Sequence, residues 1–238
     1  MLKLKPLVVG ARALLALPVP NGTLDVWLWE HSLRVTRLAR LLAALPEVGG
    51  ERPSDEVLTV AALYHEAGWA VQVLDGEIER ARVLSRPTSD LQRDLASVAL
   101  GERASELVDA QTLRLAGETI RQCNRRDSEL PEARVLSDAT NLDDIGVLYM
   151  SRQIRQCHAE GRSIEDLLRN WERLRQYDYW EARINDCLRF ETARAIARSR
   201  LEAVGPFLAA LARDCTATDL LGLLGQSGIS PPDELPLV

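Results

Sequence analysis

Aromatic residues are scarce in this 238-residue chain, which holds two Phe, four Tyr and five Trp. Leu, Ala, Val and Ile must therefore fill its core. A basic surplus is also missing: 29 Lys and Arg face 35 Asp and Glu, for a net charge of −6. General nucleic-acid binding is not expected, because it needs a cationic surface to displace phosphate counterions. A local basic pocket for a small anion stays open. The four cysteines (Cys123, Cys157, Cys187, Cys215) lie far apart with no CxxC pair, which excludes a disulfide framework and a zinc-ribbon spacing. No uninterrupted apolar run approaches the ~18–20 residues of a membrane span. Residues 1–22 imitate a signal peptide only faintly, since Gly10 and Arg12 interrupt the apolar stretch and no small-x-small cleavage site follows. No membrane partner is expected, and the expected location is cytoplasmic. Strand signals are almost absent, with no long alternation of β-branched residues and no hairpin dipeptide between such runs.

What is present is helical period. His31, Val35, Leu38, Leu42 and Leu45 step by three or four residues, one face of a helix over 26–45 that Pro46 and Gly49-Gly50 stop. Ser54 or Asp55 can cap a second helix, whose stripe is Leu58, Ala61, Ala62 and His65 and which Gly68 ends or bends. Ser89 and Gln92 have capping-box spacing ahead of a helix near 90–100. Helices follow over 104–122, 132–150 and 152–160, with a polar break at 124–131, and another after Ser163. A last long helix is expected from Tyr179 to Asp214, kinked at Gly205-Pro206. The expected organisation is an N-terminal arm over 1–24, one all-α domain over 25–214 and an irregular tail over 215–238.

Only three histidines occur, so each can be weighed. His158 stands in a polar context and reads as a surface residue. His31 and His65 sit on apolar stripes. The plain alternative for each alone is a core histidine with a hydrogen-bond partner, but two on neighbouring buried stripes can share a metal ion. Glu66 follows His65 directly, and both can reach one ion only near a helix end, because adjacent residues lie ~100° apart. Asp138 interrupts the inward stripe of Val135, Leu136, Leu142 and Ile145, so it must be paired or bound to a cation. Asp143 and Asp144 read as solvated or capping. His31, His65, Glu66 and Asp138 thus offer an N2O2 set suited to one divalent ion (Mn, Fe, Co, Ni or Zn, with Mg less favoured). Arg34, one turn after His31, can face the same cavity and bind a phosphate, or be a solvated helix residue. Arg125 and Arg126 are a second cationic pair, and such runs are usually exposed. Trp69 can line the pocket mouth, although packing is its commoner role.

These motifs resemble the HD-domain superfamily of metal-dependent phosphohydrolases, all-helical proteins with the pattern H…HD…D. His31-Ser-Leu-Arg34-Val35 is similar to its H-x-x-R-V opening, and Ala61-Ala-Leu-Tyr-His65-Glu66-Ala-Gly68 to its HD helix. Glu132-Ala-Arg-Val-Leu-Ser-Asp138-Ala-Thr-Asn-Leu142-Asp143-Asp144-Ile-Gly146 resembles its E-A-x-apolar-apolar-x-D-A-D-R-L-D-A-I-G segment, and 190–200 one bacterial branch. The resemblance, over about 26–214, implies an HD-type fold and hydrolysis of a nucleotide or another small phosphorylated molecule. In it His31, His65, Glu66 and Asp138 are ligands, Glu66 and Asp138 are catalytic, and Arg34 binds substrate. The departures are Glu66 for Asp, Cys123-Asn124 where the branch often has His, and Thr140 and Asn141 for Asp and Arg. They leave open a degenerate HD domain that binds a ligand or scaffolds without turnover. A module that docks another protein through residues 1–24 is a third reading.

Overall fold

The first element already differs from the expected arm. The computed structural model describes residues 3–48, 52–227 and 230, and within them Leu4–Leu15 is a helix, α1. Leu7, Leu14 and Leu15 are buried in the common core, each worth about 2 kcal/mol on burial. That is why this segment packs rather than hangs free. A minimal antiparallel ladder follows, pairing Leu17 with Asp25 and Pro18 with Leu24. All other regular structure among the described residues is helical.

Helix α2 (Trp27–Ala43) buries His31, Val35, Ala39 and Leu42 on one face, in the period the sequence carries. Gly49-Gly50, expected to stop it, lie outside the described residues. Helix α3 (Asp55–Tyr64) begins at Ser54, whose hydroxyl accepts from the Val57 N–H. Helix α4 (Ala67–Leu74) leaves at an angle after a two-residue link, His65-Glu66. Gly68 does not end α3; it lets α4 close onto the next helix, because a Cβ there would fall 1.9 Å from the Gln92 carbonyl oxygen. That helix, α5 (Asp90–Ala104), carries the expected capping box of Ser89 and Gln92. The stretch Asp55–Leu74 is long and apolar enough to cross a membrane by composition alone, yet 83% of it is buried inside the fold.

Helix α6 (Ala110–Gln122) starts at Asp109, later than the expected 104. Helix α7 (Pro131–Asp143) is followed by α8 (Val147–Ala159) across Gly146, whose φ of 109° favours glycine. Helix α9 (Ile164–Gln176) opens on a second capping box, Ser163 with Asp166. The single long helix expected from Tyr179 to Asp214 is instead three: α10 (Tyr179–Cys187), α11 (Glu191–Glu202) and α12 (Val204–Thr216). Helix α13 (Thr218–Gln226) extends helical structure into the expected tail, while 231–238 lie outside the described residues. Helix α2 packs along α3 and α7, and α5 along α4 and α6. The His65-Glu66 link is thereby held against the α2–α7 pair.

Candidate metal and anion site

The link between α3 and α4 places His65 and Glu66 beside each other with both side chains buried, and α2 brings His31 opposite. The two imidazole centroids lie 5.3 Å apart. One ligand atom from each of His31, His65 and Glu66 lies within 4.8 Å of the others.

Their hydrogen bonds fix what these atoms can do. His31 Nδ1 lies 2.7 Å from Asp143 Oδ2, and a carboxylate can only accept, so that nitrogen carries the proton. His65 Nδ1 likewise donates to the Ala62 carbonyl at 2.8 Å. Both Nε2 atoms are left bare, buried and without a hydrogen-bond partner. Glu66 Oε2 accepts from Thr88 Oγ1 at 2.7 Å, and Thr88 in turn accepts from Trp69 Nε1 at 3.0 Å. The other oxygen, Oε1, faces His65 Nε2 at 3.6 Å. Three electron-pair donors thus converge, an arrangement that a bound cation relieves. A proton is a poor candidate at neutral pH: burial holds the His65 imidazole down to about 4, outweighing the favourable Glu66 charge. Two imidazoles and a carboxylate, each oriented by an outer partner, fit a divalent metal ion.

Asp138 is not part of this group. It is fully buried, but its Oδ2 accepts from the backbone N–H groups of Arg189 at 2.8 Å and Phe190 at 3.0 Å. The Arg189 guanidinium also lies 3.4 Å from Oδ1. Asp138 therefore ties α7 to the link between α10 and α11, which corrects its expected place among the ligands. The cause is helix phase, because the face of α7 that lines the cavity is Ser137, Thr140 and Asn141, continued by Asp144 just past its end. Burial outweighs these bonds and raises the Asp138 carboxyl above its usual value.

Asp143, expected to be solvated or capping, is buried and holds His31. Arg34 donates to the same carboxylate through Nε at 2.9 Å and Nη2 at 3.0 Å. Arg34 is thus spent on Asp143 and does not line the cavity, so its expected contact with substrate gives way to support of the histidine. Hydrogen bonds from His31 and Arg34 offset burial and hold the Asp143 carboxyl well below the usual range.

The cavity above His31 and Glu66 measures about 350 Å³. Its cationic lining is Arg86, Arg93, Arg152 and Arg183, none of which stands out in the sequence, since arginines on helix faces are normally solvated. Arg152 and Arg183 flank Asp144 at 2.6 and 3.2 Å, while Nε of Arg93, Arg152 and Arg183 has no partner. Tyr149 also lines it; burial pushes its hydroxyl up to about 12, so it remains a donor at neutral pH. Trp69 is buried and supports Thr88 instead of lining this cavity. Arg125, Arg126 and His158 are exposed.

No family model matches this chain, and no curated protein does. A solved structure does: the crystal structure of Bacillus subtilis YpgQ in complex with ADP, at a TM-score of 0.50 and 16% identity over 88% of this chain and 96% of that one. At that identity the likeness carries the fold, and the fold is the all-helical HD type.

Proposed function

We propose that this protein is a metal-dependent phosphohydrolase acting on a nucleotide or another small phosphate ester, with one divalent ion held by His31, His65 and Glu66. The observation that carries the reading is the pair of bare, buried Nε2 atoms facing a carboxylate at the floor of an arginine-lined cavity. When bound, a divalent ion there supplies positive charge that polarises a phosphoryl oxygen and lowers the pKa of a water.

The chain's own residues do the rest. Arg86, Arg93, Arg152 and Arg183 bind and orient phosphoryl oxygens, the unpartnered Nε–H of Arg93, Arg152 and Arg183 being matched to such acceptors. Glu66 takes the proton of the attacking water; Thr88, steadied by Trp69, fixes its carboxylate plane. Tyr149, protonated at neutral pH, offers a further donor to the bound phosphate ester. The ADP held by YpgQ supports a small phosphorylated ligand for this chain as well.

Metal content of the purified protein and hydrolysis of nucleotide and aryl phosphates test the proposal. A stoichiometric divalent metal and turnover are expected, both lost in His65→Ala. Absence of metal, with no change in His65→Ala, removes it. A second reading, ligand binding without turnover, is favoured by the α7 wall, where Thr140 and Asn141 face the cavity and no carboxylate joins the three donors. Glu66→Asp separates the two: a decayed enzyme gains rate in this variant, whereas a site built around Glu loses it.

A further inference from the structure

Two aspartates of helix α7 and Asp144, which caps its C-terminal end, stand near the candidate centre, and all three are committed elsewhere. Asp138 caps the α10–α11 link, Asp144 lies between Arg152 and Arg183, and Asp143 holds His31 and Arg34. Thr140, which faces the cavity from the same helix, donates its hydroxyl to the Leu136 carbonyl. Among the described residues, α7 therefore offers the three donors no fourth ligand.

Resting on the metal reading above, we infer that α7 serves the ion through a positioning residue instead of a ligand. Asp143, locked by the two-toothed Arg34 contact, fixes the ring of His31 so that Nε2 points at the centre. The geometry is specific. Asp143 Oδ2 takes the His31 Nδ1 proton at 2.7 Å and also accepts from Arg34 Nη2 at 3.0 Å, while Oδ1 accepts from Arg34 Nε at 2.9 Å. Both Asp143 oxygens are thus restrained, and the His31 ring cannot turn without breaking a buried charge-assisted bond. His31 lies one helix away and 112 residues earlier, so nothing local in α2 supplies this restraint. His65 takes its own support from the Ala62 carbonyl one turn back in α3. The centre therefore has one ligand oriented by its own helix and one oriented across the fold. Outer partners of metal-bound histidines carry about 10–100-fold in metal affinity.

The test measures binding of Zn2+ alone by chelator competition, and the visible spectrum of the Co2+-loaded protein, on the full chain. Asp143→Asn is expected to weaken Zn2+ binding about 10–100-fold and to alter the Co2+ spectrum, with its helical circular dichroism intact. Arg34→Gln, which removes a partly exposed partner of the same carboxylate, is expected to weaken it about tenfold, the low end of that range, and supplies the answer if Asp143→Asn does not fold. Asp138→Asn is expected to retain wild-type Zn2+ affinity. Folded Asp143→Asn or Arg34→Gln protein with wild-type affinity and an unchanged Co2+ spectrum overturns this inference alone, as does loss of Zn2+ in folded Asp138→Asn. Wild-type protein that takes up neither Zn2+ nor Co2+ overturns the metal reading itself.

Discussion

Asp138 and Asp143 stand five residues apart on α7, both buried, and they do opposite work. Asp138 receives the first N–H groups of the chain entering α11. Asp143 receives the ring proton of a candidate ligand. The first region is a seam between α7 and the C-terminal helices; the second is the support behind a histidine that lines the cavity. The same residue type is placed by phase alone into a structural role and a chemical one. About a turn and a half of helix separates the two roles, which is why motif position and geometry can disagree here.

Three measurements sharpen this comparison. Asp138→Ala removes one side of a buried pair with Arg189 and strands two backbone donors, so a loss of about 3–5 kcal/mol is expected. Thermal melting should fall by roughly 10 °C, with Zn2+ stoichiometry unchanged in the folded fraction. An unchanged melting temperature would mean that the seam does not depend on Asp138.

Acid should act on the cavity floor instead. The buried His65 imidazole is held at about 4, below its ordinary value of 6.5. Unfolded chains accept this proton below pH 6.5, whereas the folded protein resists it until about 4. This contribution to stability is complete above pH 6.5 and is lost as the pH falls through that window. About 3 kcal/mol is expected in all for metal-free protein. Urea melts between pH 7 and 4 should show the loss, and His65→Gln should flatten it.

The smallest effect concerns the wall itself. Thr140→Asp places a carboxylate on the cavity face of α7, in the cavity that His31 and Glu66 also line. Zn2+ affinity is expected to rise about tenfold, roughly 1.4 kcal/mol. No gain in chelator competition would mean that position 140 does not face the ion.

Much of this was readable from the chain. The caps at Ser54, Ser89 and Ser163 follow local rules, because a hydroxyl and a backbone N–H three residues on need no distant partner. His31, His65 and Glu66 stood out because polar groups on apolar stripes need compensation. Asp138 satisfies the same rule but takes its compensation from the α10–α11 link, since burial says that compensation exists and not where it comes from. Asp143 and the cavity arginines give no such signal, because a charged residue on a helix looks solvated until another helix covers it. The break at Leu188–Phe190 has no glycine or proline; Asp138, 51 residues earlier, supplies the bonds that stabilise it.

By itself the sequence determined the helical class, the helix starts that carry a local signal and the pair of histidines with Glu66, since periodicity and capping act over a few residues. Only the tertiary structure decided which aspartate supports a histidine, which arginines face the cavity and where the C-terminal helices break. Those outcomes depend on contacts between residues far apart in the chain, where helix phase and packing, rather than residue type, assign each charge its partner.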